Sequence, residues 1–295
     1  MSEKLPVLPY FALTFAWTWT WWWAAVATGR PVGELPVPLM FMLGGLGPLV
    51  GAAWMVRRDG RGYRREFLRR VWDPRGIPAA SWLALAAVSA GPAVIGAVVA
   101  GMTGAAATVP DYRLGAVAGV VGFALLAGLA EEPGWRGAAS DAWQRRALPV
   151  WSALGIGVLW ALWHLPLHFV EGSYQHGLGF GSVRFWLTSL VLVELAVLYV
   201  WLANGSAGSI LLAILAHAGF NVAGELVARS TLGDVVAFIV VTAATVAVIA
   251  ATRGRLRFAE AGAAPERRPE AGRGVTPPGR TAQRTSQPRP TVRDG

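Results

Sequence analysis

Eight stretches of this chain, at about 7–28, 36–56, 79–102, 115–139, 150–169, 184–203, 208–226 and 234–252, are each long and apolar enough to span a bilayer. Inside lipid every backbone N–H and C=O needs a partner from the protein, and a helix meets that need within itself. The expected fold is therefore all-α: a polytopic transmembrane helix bundle of about eight spans. Charge agrees with this, since only 15% of residues are charged, against roughly 25% in soluble domains. The chain has no cysteine, which excludes a disulfide framework, a thiolate zinc site and a cysteine nucleophile. The first stretch is too long and too rich in tryptophan for a signal peptide, and more spans follow it. Its run Trp17-Thr18-Trp19-Thr20-Trp21-Trp22-Trp23 reads either as an aromatic belt at one interface or as lipid-facing bulk.

Basic residues orient the bundle. Lys4, eight arginines between 57 and 75, Arg145, Arg146 and ten arginines after the last span fall on one side, 21 in all. Arg30, Arg113, Arg184 and Arg229 fall on the other, and Arg136 lies inside a span. The positive-inside rule then puts both termini in the cytoplasm. The Ala-, Gly- and Arg-rich composition suggests a multi-pass protein of a bacterial plasma membrane. The net charge of +9 is thereby assigned to orientation, with the lipid bilayer as partner and no nucleic acid. Residues 57–75 also fit an amphipathic helix on anionic lipid, with Tyr63, Phe67, Val71 and Trp72 inward. The expected transmembrane domain is 1–257, and 258–295 reads as a disordered basic cytoplasmic tail.

Ionisable residues at bilayer depth are costly unless paired or wetted, so each is a functional candidate. Residues 131–137 read Glu-Glu-Pro-Gly-Trp-Arg-Gly. Glu132 and Arg136 stand at i, i+4 and can pair on one helix face. Glu131 is left unmatched, and two adjacent carboxylates beside one cation are expected to titrate as a unit. A carboxylate so placed suits a general base. Pro133, Gly134 and Gly137 are expected to break the helix beside a cavity. The plainer alternative is that these groups snorkel at the cytoplasmic helix end. Trp160, His164 and His168 follow one face at i+4 steps, either as a site or as hydrogen-bonding structure, with His168 the more structural. His217 and Asn221 share a face one turn apart, as two donors for an oxyanion or as an interhelical clamp. Depths of ~12 Å for Glu131, ~21 Å for His164 and ~13 Å for His217, from the helix rise, allow one shared cluster. Glu194 and Glu225 are also unusual. Glu194 is a possible outer partner of the site, and Glu225 either orients Asn221 or reaches the surface.

These three segments resemble the CPBP family of intramembrane glutamic endopeptidases, which includes the CAAX prenyl proteases and Abi-type bacterial proteins. The family pattern is E-E-x-x-x-R, then F-x-x-x-H, then H-x-x-x-N or D. Here it falls on Glu131-Glu132 with Arg136, on Trp160 with His164, and on His217 with Asn221, across roughly 115–225. Trp160 stands where the pattern has Phe. The resemblance implies a peptidase with no metal and no cofactor, acting on a membrane-associated or lipidated peptide or protein. It implies that Glu131 activates water with help from His164, and that His217 and Asn221 stabilise the oxyanion. Glu132 and Arg136 would hold the site together, Glu132 also assisting catalysis, and Trp160 would pack beneath His164.

Two rivals stand beside this reading. A zinc peptidase would use Glu131, His164 and His217 as ligands, although no H-E-x-x-H signature is present. A noncatalytic membrane protein, whether immunity factor, scaffold or proton-coupled transporter, would use the same groups as structure or as a proton relay.

Overall fold

The computed structural model describes residues 7–258. The tail expected from 258 lies outside them except for Phe258, which packs edge-on against Trp201 with ring centroids 4.7 Å apart. All eight apolar stretches are helical, and no strand occurs among the described residues. The helices are α1 (Val7–Ala27), α2 (Val37–Gly45), α3 (Gly47–Arg58), α4 (Arg61–Trp72), α5 (Ala79–Met102), α6 (Leu114–Glu132), α7 (Ser140–Gln144), α8 (Pro149–Trp163), α9 (Tyr174–Leu178), α10 (Val183–Gly205), α11 (Ile210–Leu226) and α12 (Thr231–Thr252). Six helical runs among the described residues are long and apolar enough to cross a membrane. These are α2 with α3, α5, α6 through α7, α8 with the turn after it, α10, and α12. Helix α11 is shorter at 17 residues. Helix α1 has the length, at 21 residues, but its five tryptophans and three threonines lower its hydropathy. This is a multi-pass membrane protein.

Connections between helices gather at two ends. At one end Arg70 Nε donates to the Gly208 carbonyl, Asn204 Nδ2 donates to Gln144, and Val150 N–H donates to the Gly254 carbonyl. At the other, Val32 N–H donates to the Glu171 carbonyl, and Thr108 and Arg229 form a two-way backbone bridge.

Glycines set the helix crossings that matter for the site. A Cβ on Gly128 of α6 would stand 2.7 Å from the Ile214 carbonyl oxygen of α11. One on Gly157 of α8 would stand 2.7 Å from Cα of Val193 on α10. Without side chains at these points the backbones close to contact, as small residues permit between membrane helices.

Helix α1 shows what its tryptophans do. Trp17 and Trp22 donate their indole N–H groups to the carbonyls of Leu43 and Phe41 on α2, at 2.8 and 2.9 Å. Trp22 is buried, and its ring lies 4.5 Å from Trp163. The run is therefore partly an internal clamp on α2. Helix α4 has Phe67 and Val71 inward and Tyr63 half-buried, as its periodicity requires. Trp72 does not follow and is 61% exposed. It stands one residue, or about 100° of helix rotation, past Val71 and off the apolar stripe. Asp141 of α7 ties α4 down by accepting from Tyr63 Oη at 2.8 Å and Arg70 Nη1 at 2.7 Å. Burial first, and then the Asp141 carboxylate, pushes the Tyr63 phenol above its ordinary value.

Candidate active site

The helix expected to break after Glu132 widens instead. Residues Pro133–Ala139 form a π-helical segment between α6 and α7, and all seven are buried. Pro133 brings no N–H to the α-helical ladder, and Ser140 Oγ donates to the Trp135 carbonyl five residues back, at 3.1 Å. The two glycines let the wide turn pack tightly. A Cβ on Gly134 would meet Pro48 and the Tyr10 hydroxyl, and one on Gly137 would meet the Phe67 ring and Ile210. Such turns inside α-helices occur often at functional sites.

Glu132 is fully buried, and its Oε1 accepts from two directions. Arg136 Nη1 donates from 3.0 Å, and His217 Nδ1 of α11 lies 2.7 Å away. Arg136 is capped on its flat faces by rings. Its Cζ sits 4.4 Å from the Trp160 ring centroid and 5.0 Å from that of Tyr199. Its Nε and Nη2 have no hydrogen-bond partner among the described residues, so cation–π contact takes the place of further donors' partners. The Tyr199 ring also stacks on His217, centroids 6.2 Å apart.

Glu131 is held differently. Its Oε2 accepts from the indole N–H of Trp160 at 2.7 Å, and 7% of the residue is exposed where Glu132 has none. His217, Glu132 and Arg136 are all within its electrostatic range. The site thus holds two carboxyls, one guanidinium and the His217 imidazole in one buried group, spread over α6, the π segment, α8 and α11.

His164 ends α8 as its C-cap residue, and the next turn, Leu165–Phe169, is 3₁₀. Its Nδ1 donates to the Trp160 carbonyl at 2.9 Å. This leaves Nε2 of the neutral ring as an acceptor. The ring is half-buried among Trp22, Trp160 and Trp163. Asn221 lies one turn beyond His217, half-buried, and its side chain has no hydrogen bond to another described residue. His168 leaves the face it was expected to share. The tighter 3₁₀ turn rotates it away, and its ring packs on Phe185 while Nδ1 donates to the Gln175 carbonyl. Glu194 lies beside Thr242 of α12, not at the cluster, and Glu225 reaches the surface. Among the described residues no three His, Asp or Glu side chains converge as a metal-ligand set.

Sequence reasoning overlooked Tyr199. Its signal was a phenol in the middle of an apolar span, a residue with an apolar body and a polar tip that is rarely placed there without a partner. A polar cavity of about 380 Å³ opens between α4, α7 and the α10–α11 turn, lined by Arg70, Ser140, Asp141, Gln144 and Asn204, and reaching Arg136.

Residues 112–223 match the family model described as type II CAAX prenyl endopeptidase Rce1-like. That segment, under half of the chain, is similar to the Rce1-like family. It contains the two glutamates, Arg136, Trp160, both cluster histidines and Asn221. A curated relative, CAAX prenyl protease 2 of Methanococcus maripaludis, is 37% identical over 105 residues, which are 35% of this chain and 39% of that protein. The chain therefore spans about two fifths of that relative's length. Helices α1 to α5 and α12 lie outside the Rce1-like segment.

Proposed function

We propose that this protein is an intramembrane endopeptidase that hydrolyses a peptide bond of a membrane-associated or lipidated peptide, using water activated by Glu131. The name of the Methanococcus relative points to lipidated substrates. The observation that carries the reading is the contrast between the two adjacent glutamates. Glu132 is sealed into a network with Arg136 and His217, whereas Glu131 keeps one oxygen bonded to Trp160 and some surface exposed.

The chemistry follows from those positions. Water attacks the peptide carbonyl carbon and loses a proton to Glu131, with the free Nε2 of His164 sharing the task. A carbon–oxygen bond forms and the carbonyl oxygen takes the negative charge. Asn221 donates to that oxygen through its amide, and His217 donates through Nε2 in its protonated form, with Nδ1 held by Glu132. The carbon–nitrogen bond then breaks as Glu131 returns the proton to the leaving amine. Arg136 keeps Glu132 in place. The polar cavity reaches Arg136, the partner of Glu132, and is the side from which water would approach. The arginine-rich end faces the cytoplasm of a bacterial plasma membrane, with both termini there.

The test is cleavage of a fluorogenic C-terminal lipopeptide, with and without the lipid, by purified protein in nanodiscs. Turnover by the wild type and a loss of about 10²- to 10⁴-fold in Glu131→Gln supports the reading. Equal turnover by both proteins overturns it.

A further inference from the structure

The motif position that departs from the family pattern is also the residue that touches the most of the site. Trp160 is 2% exposed. Its indole N–H donates to Glu131 Oε2 at 2.7 Å, its ring faces the Arg136 guanidinium at 4.4 Å, and its edge meets His217 with centroids 5.6 Å apart. Its own carbonyl accepts from His164 Nδ1 at 2.9 Å. One residue therefore contacts Glu131, Arg136, His164 and His217.

A phenylalanine there would supply the ring face and the carbonyl, but it has no donor. The terminal torsion of a glutamate is broad and nearly unrestricted. In a water-poor site a single donor at 2.7 Å fixes it, because charge-assisted hydrogen bonds are short and strong. With Oε2 engaged by the indole, Oε1 is the oxygen of Glu131 with no hydrogen-bond donor among the described residues and the freer of the two to receive a proton.

We infer that Trp160 is a positioning residue whose indole N–H, rather than its bulk, sets the orientation of the Glu131 carboxylate for reaction. The inference rests on the peptidase reading for its kinetic part and on geometry alone for the bond itself. A misplaced reacting group costs on the order of 10²-fold in rate.

The experiment uses the full chain in nanodiscs with indole-¹⁵N label. Trp160→Phe assigns the Trp160 indole resonance by its loss. In Glu131→Leu, which cannot accept, that resonance is expected to move upfield. An unmoved resonance overturns the proposal whatever the activity. For turnover of the lipopeptide, Trp160→Phe is expected to lower kcat about 10- to 100-fold with KM unchanged. Replacing Trp160 with benzothienylalanine, which keeps the shape and has sulfur for N–H, should cause the same loss and covers any cavity left by the Phe variant. Wild-type kcat in the isostere overturns the proposal. A resonance that moves in a protein that cleaves no peptide removes the peptidase reading and leaves the bond.

Discussion

Two places in the bundle bury a carboxyl at membrane depth, and they are built in opposite ways. At the end of α6, Glu131 and Glu132 sit among a guanidinium, an imidazole and an indole donor. In the middle of α10, Glu194 is as buried as Glu131, but its recorded neighbour is the Thr242 hydroxyl of α12, and its Oε2 has no hydrogen bond among the described residues. Burial alone does not separate them. The difference is convergence: α6, α11 and the π turn bring ionisable groups to the first place and α8 an indole donor, whereas α12 alone offers a hydroxyl at the second. A buried carboxyl becomes chemically useful when neighbours balance its charge and still leave one oxygen open.

The contrast is sharpened most by Glu131→Gln. Losing a general base should cut turnover about 10² to 10⁴-fold with little change in thermal midpoint, read by lipopeptide cleavage and by melting in detergent. Glu132→Ala should act on folding instead. It leaves Arg136 buried without its carboxylate, at a cost of about 3–5 kcal/mol, seen as a lowered unfolding midpoint. A Glu132→Ala protein with wild-type stability would show that rings alone suffice to hold the guanidinium. Asn221→Ala should retain activity at about 10⁻² to 10⁻³ of wild type, the usual loss for one oxyanion donor. If Asn221→Ala were dead and Glu131→Gln active, the assigned roles would be reversed. Asp141→Ala should cost about 1–3 kcal/mol by stranding the Tyr63 hydroxyl and partly buried Arg70, measured by chemical unfolding. Glu194→Gln should be the mildest, under about 1 kcal/mol and with turnover within experimental error. A large kinetic defect there would erase the distinction between the two places.

Much of this was legible in the residues. Long apolar stretches mark the helices, six of the eight long and apolar enough to cross a membrane, and the i, i+4 spacing marks the Glu132–Arg136 pair. What remained hidden depends on distant partners. The π turn needs Gly134 to lie on Pro48 and Tyr10, and Gly137 to lie on Phe67 and Ile210, and no local pattern announces contacts so far apart in the chain. Trp160 was read as an aromatic filler because Phe and Trp are alike in bulk. Their difference, one N–H, matters only once Glu131 is beside it. His168, the more structural of the two α8-face histidines by sequence, stands off that face because the chain tightens to 3₁₀ around Pro166, a turn that i, i+4 spacing does not describe.

The wide turn at Pro133–Ala139 also limits how this chain can change in length. Substitutions there alter one contact each, but removing a single amino acid would let an ordinary ladder close. A deletion from the regular α6 helix would rotate everything downstream by about 100°, whereas one taken from the wide turn keeps Asp141 facing Tyr63 and Arg70 and Gln144 facing Asn204. A one-residue deletion in this seven-residue stretch should thus leave α7 better placed than the same deletion in α6, while disturbing the close packing of Gly134 and Gly137.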